Sequence, residues 1–276
     1  VSGGADVVMT DGVQYAEALV GGSNPTLRPL FLDIYRPADS SPGDRPPAVV
    51  VIHGGGFERR DRKDEPIVAI CERLAAEGFV ALSIDYRLRG DQPVVSDRVG
   101  PIDQGGGPES LMNAVVAATD DAIAALDYAD SHADELGIDP SRIGVVGSSA
   151  GAITADHVAY VAPAHGIDVV DVRFVGSLWG GVLLGPPAGV DGPSAAQMTA
   201  QSPPLWSIHG DADPTVPFQL DDELVARAAE LGVAHQFYRV AGGTHGYGGT
   251  GFFTADLGGG ETPLDRLVAF ARSHSD

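Results

Sequence analysis

Cysteine is almost missing: Cys71 is the only one among 276 residues. This excludes a disulfide framework and a cysteine-ligated metal cluster. Inside the periodic run from Asp64 to Ala76, that lone thiol reads as a small buried hydrophobe. Lysine is equally scarce, with Lys63 alone, and 17 basic residues face 38 acidic ones for a net charge of −21. A polyanionic surface repels phosphate backbones and argues against a nucleic-acid partner. The acidic residues are scattered rather than blocked, as on a solvated surface and not in an interaction tail. No apolar run approaches the roughly 20 residues that a bilayer span requires. Internal repeats and linker-like composition breaks are absent too, so the chain reads as one domain over residues 1–276. It opens at Val1 with no charged, apolar leader, which leaves localisation open. Oligomeric state is equally open.

What is present is a hydrophobic fraction of 43%, ample for a buried core at this length. Leu27 to Arg36 alternates around Leu30, Leu32 and Ile34, suiting an early antiparallel strand. Three solid apolar runs follow, Ala48 to Ile52, Phe79 to Ile84 and Ile143 to Val146. Short continuous runs of this kind fit strands buried on both faces, as in a parallel sheet. Val172 to Leu178 and Leu205 to Ile208 are similar, and Gln236 to Val240 is the expected last strand. Helical patterns lie between them: Glu65 to Ala76, Ser110 to His132 (closed by Gly137), Ala150 to Tyr160, Phe218 to Leu231 and Pro263 to Arg272. The alternation predicts an α/β fold, a doubly wound and mostly parallel sheet with ligand chemistry at the carboxyl ends of its strands. Two loops are long, Gly90 to Glu109 and Gly185 to Pro204. Loops of that length are functional or disordered, and these two are candidates for a partial lid. Neither has the periodicity of a full helical cap domain.

Four motifs stand at predicted strand ends. Gly147-Ser148-Ser149-Ala150-Gly151 joins a strand to a helix, the setting of a nucleophile elbow. The turn is tight enough that the positions two before and two after Ser149 must lack bulk. It leaves the hydroxyl exposed at a helix N-terminus, where the dipole favours developing negative charge. The alternative is a glycine-bounded turn with an ordinary capping serine. His53-Gly54-Gly55-Gly56-Phe57 follows another strand, and its glycines free backbone N–H groups to face an oxyanion. Gly55, Gly56 and Ala150 are the candidate donors, while His53 reads as a residue that holds the loop. His209-Gly210-Asp211-Ala212-Asp213 offers two carboxylates, either of which would orient a histidine, although aspartates also staple turns. Gly243-Thr244-His245-Gly246-Tyr247 places a histidine between glycines, with no apolar face to join. The order serine, acid, histidine is that of α/β-hydrolases and differs from those of chymotrypsin and subtilisin.

With these residues the chain resembles the α/β-hydrolase carboxylesterases that carry an HGGG oxyanion loop, the hormone-sensitive-lipase-like and bacterial feruloyl-esterase-like branch. The resemblance rests on Asp33-Ile34-Tyr35-Arg36-Pro37, HGGGF, Ser83-Ile84-Asp85-Tyr86-Arg87-Leu88, the serine elbow, HGDADPTVP and THGY, from about Leu30 onward. It implies Asp213 rather than Asp211 as the triad acid. The chain departs from the lipase-like pattern at Ser148 and at Arg89-Gly90, and residues 1–29 are too short and strand-like for a helical cap.

The expected activity is hydrolysis of carboxylic esters through a Ser149–His245–Asp213 triad and an acyl-enzyme, with no metal or organic cofactor. An amidase, formamidase or peptidase on the same fold is the alternative, and a catalytically silent binding protein is the reading from another class. Phe57, Trp179, Tyr247, Phe252 and Phe253 are candidates for the substrate pocket, or else plain packing residues. Which ester is preferred is not legible in the sequence.

Overall fold

The computed structural model describes residues 5–41, 43–102, 105–189, 191–248 and 251–275, without the side chains of residues 247 and 248. Eight strands form: β1 (Val7–Val20), β2 (Thr26–Pro37), β3 (Ala48–Ile52), β4 (Val80–Ile84), β5 (Ile143–Ser148), β6 (Val172–Leu178), β7 (Leu205–Gly210) and β8 (His235–Val240). They pair in the order β1-β2-β4-β3-β5-β6-β7-β8. β2 runs antiparallel to both β1 and β4, and every pairing from β4 to β8 is parallel. This is the α/β-hydrolase fold, a doubly wound sheet that keeps an antiparallel edge.

The helices are α1 (Glu65–Ala76), α2 (Leu111–Ser131), α3 (Ala133–Leu136), α4 (Ala150–Asp156), α5 (Ala162–Ala164), α6 (Phe218–Leu231), α7 (Gly251–Thr254) and α8 (Pro263–Ser275). Their boundaries have local causes. Pro66 sits in the first turn of α1, where its missing N–H costs nothing. The Ser110 hydroxyl accepts the Asn113 N–H at 3.1 Å and starts α2. Gly232, at φ 72°, closes α6 in the left-handed conformation open to glycine.

Both faces of the sheet are covered. Along β3, Val50 and Ile52 point into the larger core beneath α2 and α4, and Val49 and Val51 into the smaller core beneath α1 and α8. That alternation explains why the strand reads as a solid apolar run. Two expectations need correction. The helix expected from Ala150 to Tyr160 is α-helical only to Asp156, then widens into a π turn over His157–Val161. The widened turn lets His157 Nε2 accept the Leu183 N–H at 3.0 Å, and burial pushes the His157 pKa down to about 3. The helix expected from Ser110 to His132 forms as α2, but Gly137, expected to close it, closes the short α3 that follows a break at His132.

Candidate active site

The four motifs leave the carboxyl ends of β3, β5, β7 and β8, and Trp179 leaves that of β6, all at one end of the sheet. Ser149 stands between β5 and α4 with φ 55° and ψ −119°, a backbone state a non-glycine residue holds only under constraint. The constraint is packing against backbone. A Cβ on Gly147 would come within 2.1 Å of the Gly151 carbonyl oxygen, and one on Gly151 within 2.1 Å of the Ile52 oxygen. The Ser149 N–H is tied to the Leu178 oxygen at 2.8 Å, so the hydroxyl points away from the sheet.

Ser149 Oγ lies 2.8 Å from His245 Nε2, and His245 Nδ1 lies 2.6 Å from Asp213 Oδ2. The side chain of Asp213 is fully buried, while that of His245 keeps 24% of its surface exposed. Asp213 is itself held, because its Oδ1 accepts the Thr215 and Val216 N–H groups at 2.7 and 3.1 Å, leaving Oδ2 for the histidine. Burial alone would raise the Asp213 pKa, but the His245 bond and the two amides outweigh it and keep the carboxyl below its ordinary value. Asp211 does something else. It accepts the Gly242 N–H and pairs with Arg239 at 3.0 Å, stapling the β7 and β8 loops at the surface.

The glycine loop lies opposite the serine. A Cβ on Gly54 would stand 3.2 Å from Ser149 Cβ. Gly55, at φ 113°, packs so closely on the Arg59 carbonyl that a Cβ there would be 2.1 Å from its oxygen. Among the described residues, no protein acceptor takes the N–H of Gly55, Gly56 or Ala150. His53 is the anchor expected of it. Its Nδ1 lies 2.7 Å from the Gly54 oxygen, its ring stacks on Tyr86 at 4.3 Å, and the Tyr86 hydroxyl donates to the His53 oxygen at 3.0 Å. Burial depresses its pKa and keeps the ring neutral.

These groups open into a cleft of about 460 Å³ lined by Trp179, Leu178, Phe252, Phe253, Ile70 and Pro66, with Glu58, Arg59, Arg60 and Asp64 at its polar side. Trp179 meets the His245 ring edge-on at 6.4 Å and Phe252 at 5.9 Å. Three of the five aromatic candidates therefore line the cleft. Phe57 does not: its φ of 62° turns the ring back beneath the glycine loop, where it is buried against Tyr86. The side chain of Tyr247 lies outside the described residues. Sequence reasoning missed the segment from Glu58 to Ile70, whose only signal was its position directly after the glycine loop. Arg62 braces that segment, donating to Asp33 Oδ1 and Asp85 Oδ2 at 2.7 Å each.

Among the described residues, neither long loop lines the cleft. Instead they meet each other around His165, whose ring nitrogens lie 3.0 Å from the Pro101 oxygen and 2.9 Å from Gln197 Oε1. The hollow between them, about 370 Å³, carries none of the groups above. Among the described residues no group of three or more His, Cys, Asp or Glu is placed to hold a metal ion. No described helix is long and apolar enough to cross a membrane.

Comparison with known proteins agrees with this fold. A family profile described as alpha/beta hydrolase fold matches residues 109–209, and one named BD-FAE matches residues 32–97. Carboxylesterase NlhH of Mycobacterium tuberculosis is 35% identical over 108 residues, 39% of this chain and 27% of that protein. The match thus spans about a quarter of the relative's length. Thermogutta terrifontis esterase 2, in a form phosphorylated by paraoxon, superposes with a TM-score of 0.67 at 25% identity, covering 95% of this chain and 91% of the other. A truncated carbohydrate esterase from gut microbiota, at 19% identity and a TM-score of 0.68, shares the fold over 100% of this chain and 98% of its own. The chain has the fold of a known class, the α/β-hydrolase fold. Within that class its resemblance is to the carboxylesterases.

Proposed function

We propose that this chain is a serine carboxylesterase acting through an acyl-enzyme, with residues 1–276 forming one catalytic domain. The observation that carries the reading is the unbroken run from Ser149 Oγ through the His245 ring to Asp213, 2.8 and 2.6 Å, at the floor of an apolar-walled cleft. His245 takes the serine proton as Oγ attacks the acyl carbon. The carbonyl oxygen then carries the charge and is met by the free amides of Gly55, Gly56 and Ala150, each such donor being worth about 10²–10³ in rate. His245 returns the proton to the departing alcohol, and the same histidine activates the water that releases the acid. Asp213, its side chain buried and, among the described residues, paired only with histidines, fixes the His245 tautomer and stabilises the imidazolium as it forms. Trp179, Phe252 and Phe253 shape the apolar wall against which a small-molecule ester would lie.

Because a solved structural relative is phosphorylated by paraoxon, the same reagent tests the assignment. Paraoxon should add one phosphoryl group to this protein at Ser149, located by peptide mapping, and none to Ser149→Ala. A modification mapped to Ser148 or elsewhere would defeat the reading. Progress curves on a nitrophenyl ester and its matched anilide, run in parallel, separate esterase from amidase chemistry. Faster turnover of the anilide would favour the amidase.

A further inference from the structure

Behind the triad acid lies a second histidine that the mechanism does not use. His209, at the end of β7, has no exposed surface. Its Nε2 lies 3.1 Å from the Val216 oxygen and 3.3 Å from Asp213 Oδ2, the oxygen that also faces His245. Its Nδ1 lies 3.2 Å from Asp221 Oδ2. Asp221 belongs to α6, is fully buried, and also takes the hydroxyl proton of Ser207. Both ring nitrogens thus face oxygens that act as acceptors. A neutral imidazole has one lone pair, which here would be aimed at an oxygen lone pair inside the protein. With both nitrogens protonated, Nε2–H donates to the Val216 oxygen and Nδ1–H to Asp221, and the ring becomes a buried cation between the Asp221 and Asp213 carboxylates.

We propose that His209 is a positioning residue that works as a buried imidazolium, tethering the triad carboxylate Asp213 from behind with Asp221 as its counter-ion. The proposal rests on the triad reading given above for the role of Asp213. Every element around the ring agrees with it. The loop after β7 supplies Asp213 and the Val216 carbonyl. On α6, Asp221 faces the ring and Phe218 meets it edge-on at 5.7 Å. From β8, Arg239 covers the far face of Phe218 at 4.9 Å and is itself neutralised by Asp211. Asp156 on α4 lies farther back, bonded to Ser177 and to the Gly181 amide at 2.8 Å each. Burial would lower the His209 pKa, but the contacts with Asp221 and Asp213 outweigh it and raise the group above its ordinary value.

The consequence for catalysis is electrostatic. The cation shares the negative charge of Asp213, which the imidazolium formed at His245 during the cycle would otherwise have to itself. The tether also stops the carboxylate from rotating when His245 swings toward the leaving group. In His209→Gln the side-chain amide keeps one neutral donor near Asp213 and removes the charge. The acid limb of kcat/KM should then move to higher pH by about half a unit or more, with kcat falling about tenfold and KM little changed. Asp221→Asn should move the limb in the same direction, since it removes the counter-ion that keeps the ring charged. Ring nitrogen NMR on the uniformly labelled wild-type protein reads the protonation state directly: both His209 nitrogens should carry protons throughout pH 6–8.

A His209 ring with one bare nitrogen at pH 7 would overturn the proposal. So would a pH profile for a folded His209→Gln that superimposes on wild type. If the glutamine variant does not fold, Asp221→Asn and the wild-type NMR still decide. Paraoxon labelling away from Ser149 would sink the triad reading instead, while the NMR result on His209 would stand on its own.

Discussion

At the scale of single residues, two aspartates two positions apart are given different work by their surroundings. Asp213 is fully buried with one oxygen on His245, and Asp211 bonds Gly242 and Arg239 at the surface. Asp213→Asn should lower kcat by roughly 10⁴, because the amide no longer selects the tautomer the serine needs. Asp211→Asn should cost at most a few-fold, since its bonds tie loops together rather than touch the triad. Steady-state rates on one nitrophenyl ester decide the matter, and equal losses would mean that the wrong carboxylate has been assigned. The residues of the proposed triad could be picked out because glycine spacing and chain order survive without any three-dimensional information. The choice between the aspartates came only from resemblance. His209 was readable as packed but not as charged, because its second partner, Asp221, lies 12 residues away on another element. Phe57 stayed open between pocket and packing for a backbone reason: no pattern announces a positive φ at a phenylalanine.

At the scale of elements, the turn between β5 and α4 is closed in by backbone at both of its glycines. Gly151→Ala would drive a methyl into the Ile52 and His53 carbonyl oxygens, 2.1 and 2.6 Å away, and backbone on both sides leaves it nowhere to go. Overpacking of that kind should cost about 3 kcal/mol, read as a lower urea midpoint. Gly166 is the matched control. It has φ 73° but open space around it, so Gly166→Ala should lose only about 1 kcal/mol to backbone strain. If the two variants lose equal stability, close packing is not what fixes the elbow. Helices α1 and α6 were readable to the residue because a first-turn proline marks one and a closing glycine the other. β1 was not recognised as a strand. It carries register shifts after Thr10 and Gln14 and a positive-φ Gly12, and those irregularities erase the two-residue period.

At the scale of the whole molecule, the excess of acid is not confined to the surface. Asp156 lies wholly buried, one oxygen bonded to Ser177 and Gly181 and the other, Oδ1, without a partner among the described residues. Burial, and then the nearby charge of Asp221, raises its pKa well above the ordinary carboxylate value. The sign of the linkage follows. The folded chain holds this proton more tightly than the unfolded chain does, so folding is unpenalised below about pH 4, the ordinary carboxylate range. Stability is lost as pH rises from there toward the folded-state pKa, because the unfolded chain releases the proton first. Asp156→Asn removes the titration while its carbonyl still accepts from Ser177 and Gly181. Its new amide group costs or gains a fixed amount, according to what it meets where Oδ1 stood, and that offset does not vary with pH. The diagnostic is therefore the slope. Urea midpoints for the variant, relative to wild type, should be lowest at pH 4 and climb steadily through pH 7. Every other acid is present in both proteins and cancels from the difference. Two curves that stay parallel from pH 4 to pH 8 would show that Asp156 folds as a carboxylate, with its charge met by a group other than Ser177 and Gly181.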